Sequence, residues 1–379
     1  MKELSVIREK LDKIDKEIVD LYQARMELCK DVAEYKITNG KMVLDKEREL
    51  QKINTLKVMA DNDFNEKGIQ ELFEQIMSMS RKLQYQILAE RGQSLRLPFQ
   101  PVEELINHTT RVVFQGAKGA YSQIAMEKFF GMNVDNFHVE TFRQAMCALE
   151  EGSADYAVLP IENSTAGIVS EIYDLLVEFE NYIVGEEIVN IEHCLLGVDG
   201  SALEDIDVVY SHPQSLMQSA GFLQKYQWQQ ISLLNNAFAA QKVKEEGKKN
   251  QAAIASEKAA ELYGLKIIKK GVNHAENNCT RFIIVANRKI FHHQANKVSL
   301  CFEIPHQSGS LYHILSHFIY NNLNMTKIES RPIAERNFEY RFFVDFDGNL
   351  KDSAVKNALR GLREETTNMK ILGNYVGQV

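Results

Sequence analysis

Proline is scarce and unevenly placed: six occur in 379 residues, at Pro98, Pro101, Pro160, Pro213, Pro305 and Pro332. Before residue 90 the only glycines are Gly40 and Gly68. Without helix breakers, the first quarter of the chain reads as nearly all helix. Cysteine is limited to five scattered residues, Cys29, Cys147, Cys194, Cys279 and Cys301, none at CxxC spacing. That argues against a zinc site and a disulfide framework and points to reduced thiols. No apolar run approaches the length of a membrane span, and the charged opening MKELSVIREKLDKIDKE lacks the apolar core of a secretory signal; a cytoplasmic protein with no membrane partner is expected. Positive charge is not in excess either. With 44 Lys and Arg against 52 Asp and Glu the formal net charge is −8, which gives no general attraction for nucleic acid. Any anionic ligand needs cations concentrated locally.

What is present is the balance of a soluble globular protein, 45% hydrophobic and 25% charged. The length divides naturally into two or three domains. Gly92 to Asn107, with Pro98 and Pro101, reads as a linker, and beyond it short β-branched runs alternate with helical segments, the pattern of an α/β domain. Near Lys297 the order becomes strand (298–304), helix (310–323), two strands (325–333 and 339–346), helix (351–366) and a closing strand. This βαββαβ order predicts a ferredoxin-like unit.

In the first helix Leu4, Ile7, Leu11, Ile14, Ile18, Leu21, Arg25, Leu28, Val32 and Tyr35 alternate at three- and four-residue spacing, the seam of a coiled coil. A pattern longer than about 25 residues without caps implies a helical partner, so a homodimer or higher homo-oligomer is expected. Arg25 in that apolar seam needs an anion, either a protein carboxylate or a ligand. Lys36 returns to within about 20° of the same face, roughly 16 Å along the axis, so the two cations could grip one dianion. Arg8 is roughly 42 Å from Lys36 on a straight helix, and reaches the same ligand only from a partner protomer. Asp45, Arg48 and Glu49 share one face of a second helix, and Ser80 and Gln84 form a further i, i+4 pair.

The ordered set Arg8, Arg25, Lys36, Asp45, Arg48, Glu49, Ser80, Gln84 resembles the active site of the all-helical chorismate mutases over residues 1 to about 90. The resemblance implies chorismate held by Arg8 of one protomer and Arg25 of the other, with Ser80 assisting, Asp45 and Glu49 near the ring hydroxyl, and Lys36 and Gln84 at the ether oxygen. A pericyclic rearrangement needs no nucleophile or cofactor, only a compact conformer and donors where charge develops. Gln84 donates without being protonated, so little change in mutase activity between about pH 5 and 8 is expected.

In the central region the small-residue loop Gly116-Ala-Lys-Gly119-Ala-Tyr-Ser122 joins a strand to a helix and presents backbone N–H groups. Three further strands end in Pro160-Ile-Glu-Asn163, Ser211-His-Pro-Gln214 and Ala255-Ser256-Glu257, and open α/β sheets bind ligands at such strand ends. Ser211 with Gln214, and Thr141 with Gln144, also have the spacing of capping boxes. With Asn278-Cys-Thr280-Arg281-Phe282, these segments resemble the prephenate dehydratases over residues 109 to about 290. That resemblance implies two α/β lobes around a cleft, like type II periplasmic binding proteins, and conversion of prephenate to phenylpyruvate without a cofactor or metal. It implies Thr280 as essential, Arg281 on a substrate carboxylate, and Asn163, Ser211 and Gln218 at the leaving hydroxyl and ring. Glu162 is an alternative proton source; His212, beside Pro213, reads as structural.

Ser308-Gly309-Ser310-Leu311 and Glu329-Ser330-Arg331-Pro332 resemble the phenylalanine-binding motifs of ACT domains, the first departing at Ser310 where alanine is usual. L-phenylalanine as allosteric effector is thereby implied. The expected division is a mutase domain (1–90), a linker (91–108), a dehydratase domain (109–290) and a regulatory domain (296–379). The rival reading is a non-catalytic dimer that only senses amino acids, or a chain with one live catalytic domain. His313 and His317 share a helix face, but no third metal ligand is evident.

Overall fold

The computed structural model describes residues 3–92, 95–274, 277–307, 309–333 and 336–378. Three helices open the chain, Leu4–Thr38 (α1), Lys46–Lys57 (α2) and Asp63–Glu90 (α3). Then come Gln100–Val102 (β1), Arg111–Gln115 (β2), Tyr121–Phe130 (α4), Asp135–Val139 (β3), Phe142–Glu150 (α5), Tyr156–Asn163 (β4), Gly167–Ile168 (β5) and Ser170–Glu178 (α6). A middle stretch holds Tyr182–Asn190 (β6), Cys194–Gly197 (β7), Val208–Ser211 (β8), Pro213–Gln218 (α7), Ala220–Leu223 (α8), Gln229–Ser232 (β9), Asn236–Glu246 (α9), Gln251–Ala255 (β10), Glu257–Tyr263 (α10) and Lys266–Lys269 (β11). The chain closes with Cys279–Ala286 (β12), Ile290–His292 (β13), Lys297–Glu303 (β14), Ser310–Tyr320 (α11), Met325–Pro332 (β15), Tyr340–Asp347 (β16), Ser353–Glu365 (α12) and Thr367–Tyr375 (β17). No helix among the described residues is long and apolar enough to cross a membrane.

Two compact units result, one of residues 1–97 with 302–369 and the other of residues 98–301 with 370–379. In the first, polar side chains set the helix starts: Asp45 accepts from the Arg48 N–H at 3.0 Å, and Asn62 accepts from the Asn65 N–H at 2.9 Å. Such caps satisfy backbone donors that a helix N-terminus leaves unpaired. β15 and β16 pair antiparallel, Ile328 opposite Val344. The seam of α1 is not covered within the chain: Leu11, Ile18 and Leu28 are 52%, 53% and 66% exposed.

Besides the short parallel pair of β1 with β13, the second unit holds strands of two larger sheets. In one, β2 runs parallel to β3 and β4, and β12 lies antiparallel between β4 and β6. Val112, Phe114, Val158 and Ile284 fill its core. The other has the order β11-β7-β10-β8-β9, with β8 parallel to β9 and β10. Its alanine-rich β10 and α9 let strand and helix approach closely around Leu196 and Tyr210. Thr141 and Gln144 do form a capping box at α5, whereas α7 is capped by His212 and not by Ser211.

Candidate active site

In the helical unit, Arg25 Nη1 of α1 donates to Ser80 Oγ of α3. One turn on, Gln84 Nε2 donates to the Ser80 carbonyl at 3.2 Å, while its buried Oε1 has no hydrogen-bond partner. Leaving such an acceptor unpaired costs about 1–3 kcal/mol, a cost that persists where a ligand is to be met. Lys36 Nζ donates to the Val43 carbonyl. Burial pushes its pKa below the usual lysine range, opposed by the carboxylates of Glu49, Asp45 and Glu364. The fold therefore gathers Arg25 with Ser80 and Gln84, and Lys36 with Asp45 and Glu49. Arg48 is exposed, its N–H spent on Asp45, and Arg8 is exposed near the far end of α1. Sequence reasoning missed Arg81, buried on α3, whose guanidinium pairs with Glu49 and, at 2.7 Å, with Glu365. It also missed Tyr85, which donates to Glu364. Partners so distant in sequence leave no local signal.

In the second unit, the loops after β2, β4, β8 and β10 line a cavity of about 660 Å³, within the usual range for small-molecule sites. Thr280, Asn163 and Gln218 all face it. Asn163 Nδ2 donates to Thr280 Oγ1 at 2.9 Å and to Asn278 Oδ1 at 2.8 Å. With its oxygen accepting from Asn163, the Thr280 hydroxyl keeps its own proton for donation elsewhere. Gln218 Nε2 donates to Thr165 Oγ1 at 2.7 Å, so its Oε1 faces His193 Nε2 at 3.0 Å. His193 Nδ1 lies 3.0 Å from the Tyr121 hydroxyl, which donates to the Glu192 carbonyl at 2.8 Å. Gly119, at φ +89°, lies so near α10 that a Cβ there would sit 3.0 Å from Ala259 Cα, and Ser256 Oγ donates to its carbonyl at 2.7 Å. Only glycine allows that close approach.

Two expected site residues fall elsewhere. Arg281 pairs with Glu162 at 3.2 Å and Glu186 at 3.3 Å, and is not among the described residues lining the cavity. Successive strand residues point to opposite faces, so Thr280 and Phe282 turn inward and Arg281 turns away. The same pairing keeps Glu162 from serving as a cavity acid. Ser211 is fully buried, its hydroxyl 2.6 Å from the Ile254 carbonyl and 3.0 Å from Asn236 Oδ1, and it holds Asn236 in place. His212 accepts from the Gln214 N–H at 3.2 Å, a capping role, while its ring also borders the cavity.

His193, buried to 1% exposure, is the functional-site residue that no motif marked. Burial lowers its pKa from the ordinary 6.5 to about 4. The unfolded chain therefore binds a proton between those values that the folded chain refuses, so stability is complete above pH 6.5 and falls as pH drops toward 4, by up to about 3 kcal/mol. A His193→Gln variant is expected to flatten that acid slope, as read from urea midpoints between pH 4 and 7; an unchanged slope refutes the assignment.

A second cavity, of about 390 Å³, lies in the first unit and is lined by Gly309, Ser310 and Leu311 together with Pro305, Tyr312, Glu339, Tyr340 and Phe342. Ser308 lies outside the described residues. Glu329, Ser330 and Arg331 on β15 are not among the described residues lining this cavity, and Ser330 is exposed. His313 Nε2 lies 3.3 Å from Glu74, and His317 Nε2 3.3 Å from Glu365.

The family model described as chorismate mutase type II matches residues 7–85, and that described as prephenate dehydratase matches residues 112–290. A helical mutase joined to an α/β dehydratase defines an enzyme of aromatic amino-acid synthesis, and sets aside the non-catalytic reading. The bifunctional chorismate mutase/prephenate dehydratase of Escherichia coli (strain K12) is 32% identical over 384 residues, covering 98% of this chain and 96% of that protein. The chain belongs to the bifunctional chorismate mutase/prephenate dehydratases. Among solved structures, the prephenate dehydratase from Arthrobacter aurescens in complex with L-Phe is 26% identical with a TM-score of 0.66, covering 71% of this chain and 90% of that one. GqqA, described as a novel type of quorum quenching acylase, is 33% identical with a TM-score of 0.65, covering 71% of this chain and 98% of that one.

Proposed function

We propose that residues 1–90 rearrange chorismate to prephenate, that residues 109–290 convert prephenate to phenylpyruvate, and that residues 296–379 form a ferredoxin-like ACT domain through which L-phenylalanine inhibits the second step. The observation that carries the dehydratase reading is the Thr280 hydroxyl, fixed by Asn163 at a cavity wall with its proton free to be donated. Loss of carbon dioxide and hydroxide from prephenate is driven by aromatisation, so the protein has only to assist departure of the hydroxyl and orient two carboxylates. Thr280 donates a hydrogen bond to the leaving hydroxyl as its charge develops, and Gln218 and Asn163 hold the ring end. No lysine or arginine is among the described residues lining the cavity. The carboxylates of prephenate are met instead by the N-termini of α4, α6 and α9, whose first residues line it and whose backbone donors and dipoles favour anions.

In the mutase, Arg25 and Ser80 bind one carboxylate, Arg8 of a second protomer the other, and Lys36 and Gln84 stabilise charge on the ether oxygen. The exposed apolar stripe of α1 supports the dimer this requires. The regulatory reading is supported by the element order from β14 to β17 and the cavity at Gly309 to Leu311; Glu329, Ser330 and Arg331 would close a neighbouring protomer's cavity.

A coupled assay on the purified full chain tests the whole. Chorismate should be consumed and phenylpyruvate formed, with phenylalanine suppressing the second step. Accumulation of prephenate would overturn the dehydratase assignment.

A further inference from the structure

α3 turns one side to the mutase residues and another to α12, and Arg81 serves both. Its side chain is 10% exposed and its two Nη atoms are divided between Glu49 of α2 and Glu365 at the end of α12. Glu365 in turn meets His317 of α11 at 3.3 Å. His317 packs so tightly on α12 that a Cβ at Gly361 would lie 2.3 Å from its ring. One turn along α3, Tyr85 donates to Glu364, a carboxylate that acts on the Lys36 ammonium. α11 itself starts with Ser310, Leu311 and Tyr312 in the wall of the cavity at Gly309 to Leu311.

We propose that Arg81 is a positioning residue for Glu49 in the mutase site and that Glu365 shares control of it, so that occupancy of the cavity at the start of α11 is read by the mutase. The regulatory half of this rests on the effector reading above. A guanidinium has a rigid fork of donors that can hold two carboxylates at once. With Glu365 in place its charge is divided. When α11 and α12 shift, more of that charge falls on Glu49, drawing the carboxylate from the substrate hydroxyl. A ligand biases this only by its differential affinity for the two arrangements. Networks of this kind modulate coupling by about 2- to 30-fold.

The test uses the full chain. Glu365→Gln is expected to lower mutase kcat by about 2- to 30-fold with KM for chorismate little changed and dehydratase turnover of supplied prephenate intact. Arg81→Met should lower it further and Arg81→Lys should restore part. In a double-mutant cycle, Arg81→Lys and Glu365→Gln should be non-additive. Saturating phenylalanine should change the wild-type mutase rate but not that of Glu365→Gln, whose dehydratase remains suppressed. Unaltered mutase kinetics in Glu365→Gln, or strict additivity in the cycle, overturns the proposal. If calorimetry shows no phenylalanine binding to wild type, the effector reading fails and the basal kinetics alone decide the Arg81 assignment.

Discussion

Replacing Thr280 by valine is expected to lower dehydratase kcat by about 10²- to 10⁴-fold, the range for losing a positioned proton donor or a hydrogen bond aimed at developing charge. Valine keeps the shape and removes only the hydroxyl. Asn163 Nδ2 retains Asn278 Oδ1 at 2.8 Å and the Cys279 carbonyl at 3.0 Å, so it is not orphaned. The fold should lose no more than about 1 kcal/mol. Thr280→Ser, which keeps the donor, should recover most of the rate. Phenylpyruvate formation from supplied prephenate measures the effect, and mutase turnover in the same preparation is the control. A valine variant within about threefold of wild type would sink the assignment.

Replacing Lys36 by methionine should lower mutase kcat by about 10²- to 10³-fold, as for removal of one donor from a developing oxyanion, while the dehydratase continues on supplied prephenate. Its pKa carries a second consequence. Burial holds it below the usual lysine range, and the residue acts as a cation, so mutase activity is present on the acid side of that pKa and is lost as pH rises through it. On the acid side Gln84 imposes no limit, because an amide donates at every pH. A Gln84→Glu variant donates only when protonated, and should therefore work only at low pH. Identical pH–rate profiles for wild type and Gln84→Glu would show that Gln84 does not face the ether oxygen.

Much of the helical site was legible because it is written locally. Arg25, Lys36, Glu49, Ser80 and Gln84 lie on three helices whose period determines which side chains share a face, and Asp45 caps the second of them. The absence of proline before residue 98 marked those helices, and the βαββαβ order near the C-terminus was marked by alternating patterns of two and 3.6 residues. Thr280 and Asn163 belong to motifs at strand ends, whereas Gln218, at the end of α7, was implied only by the family resemblance. The placement of Arg281 was not legible, because a motif gives adjacency and a strand turns adjacency into opposition: Thr280 faces the cavity and Arg281 faces Glu186. The capping reading of Ser211 fails because His212 caps α7, and the buried acceptors of Ser211, Asn236 Oδ1 and the Ile254 carbonyl, come from other elements.

By itself, then, the sequence determined the element types, the chemistry of both sites and the kind of substrate they take, since periodicity and short motifs are properties of near neighbours. Only the tertiary structure decided that His193 stays neutral beside Gln218, that Arg281 turns from the cleft, and that Arg81 is shared by Glu49 and Glu365. Each of these depends on burial and on partners tens to hundreds of positions away, and desolvation and ion pairing act through space, along distances that the order of residues does not encode.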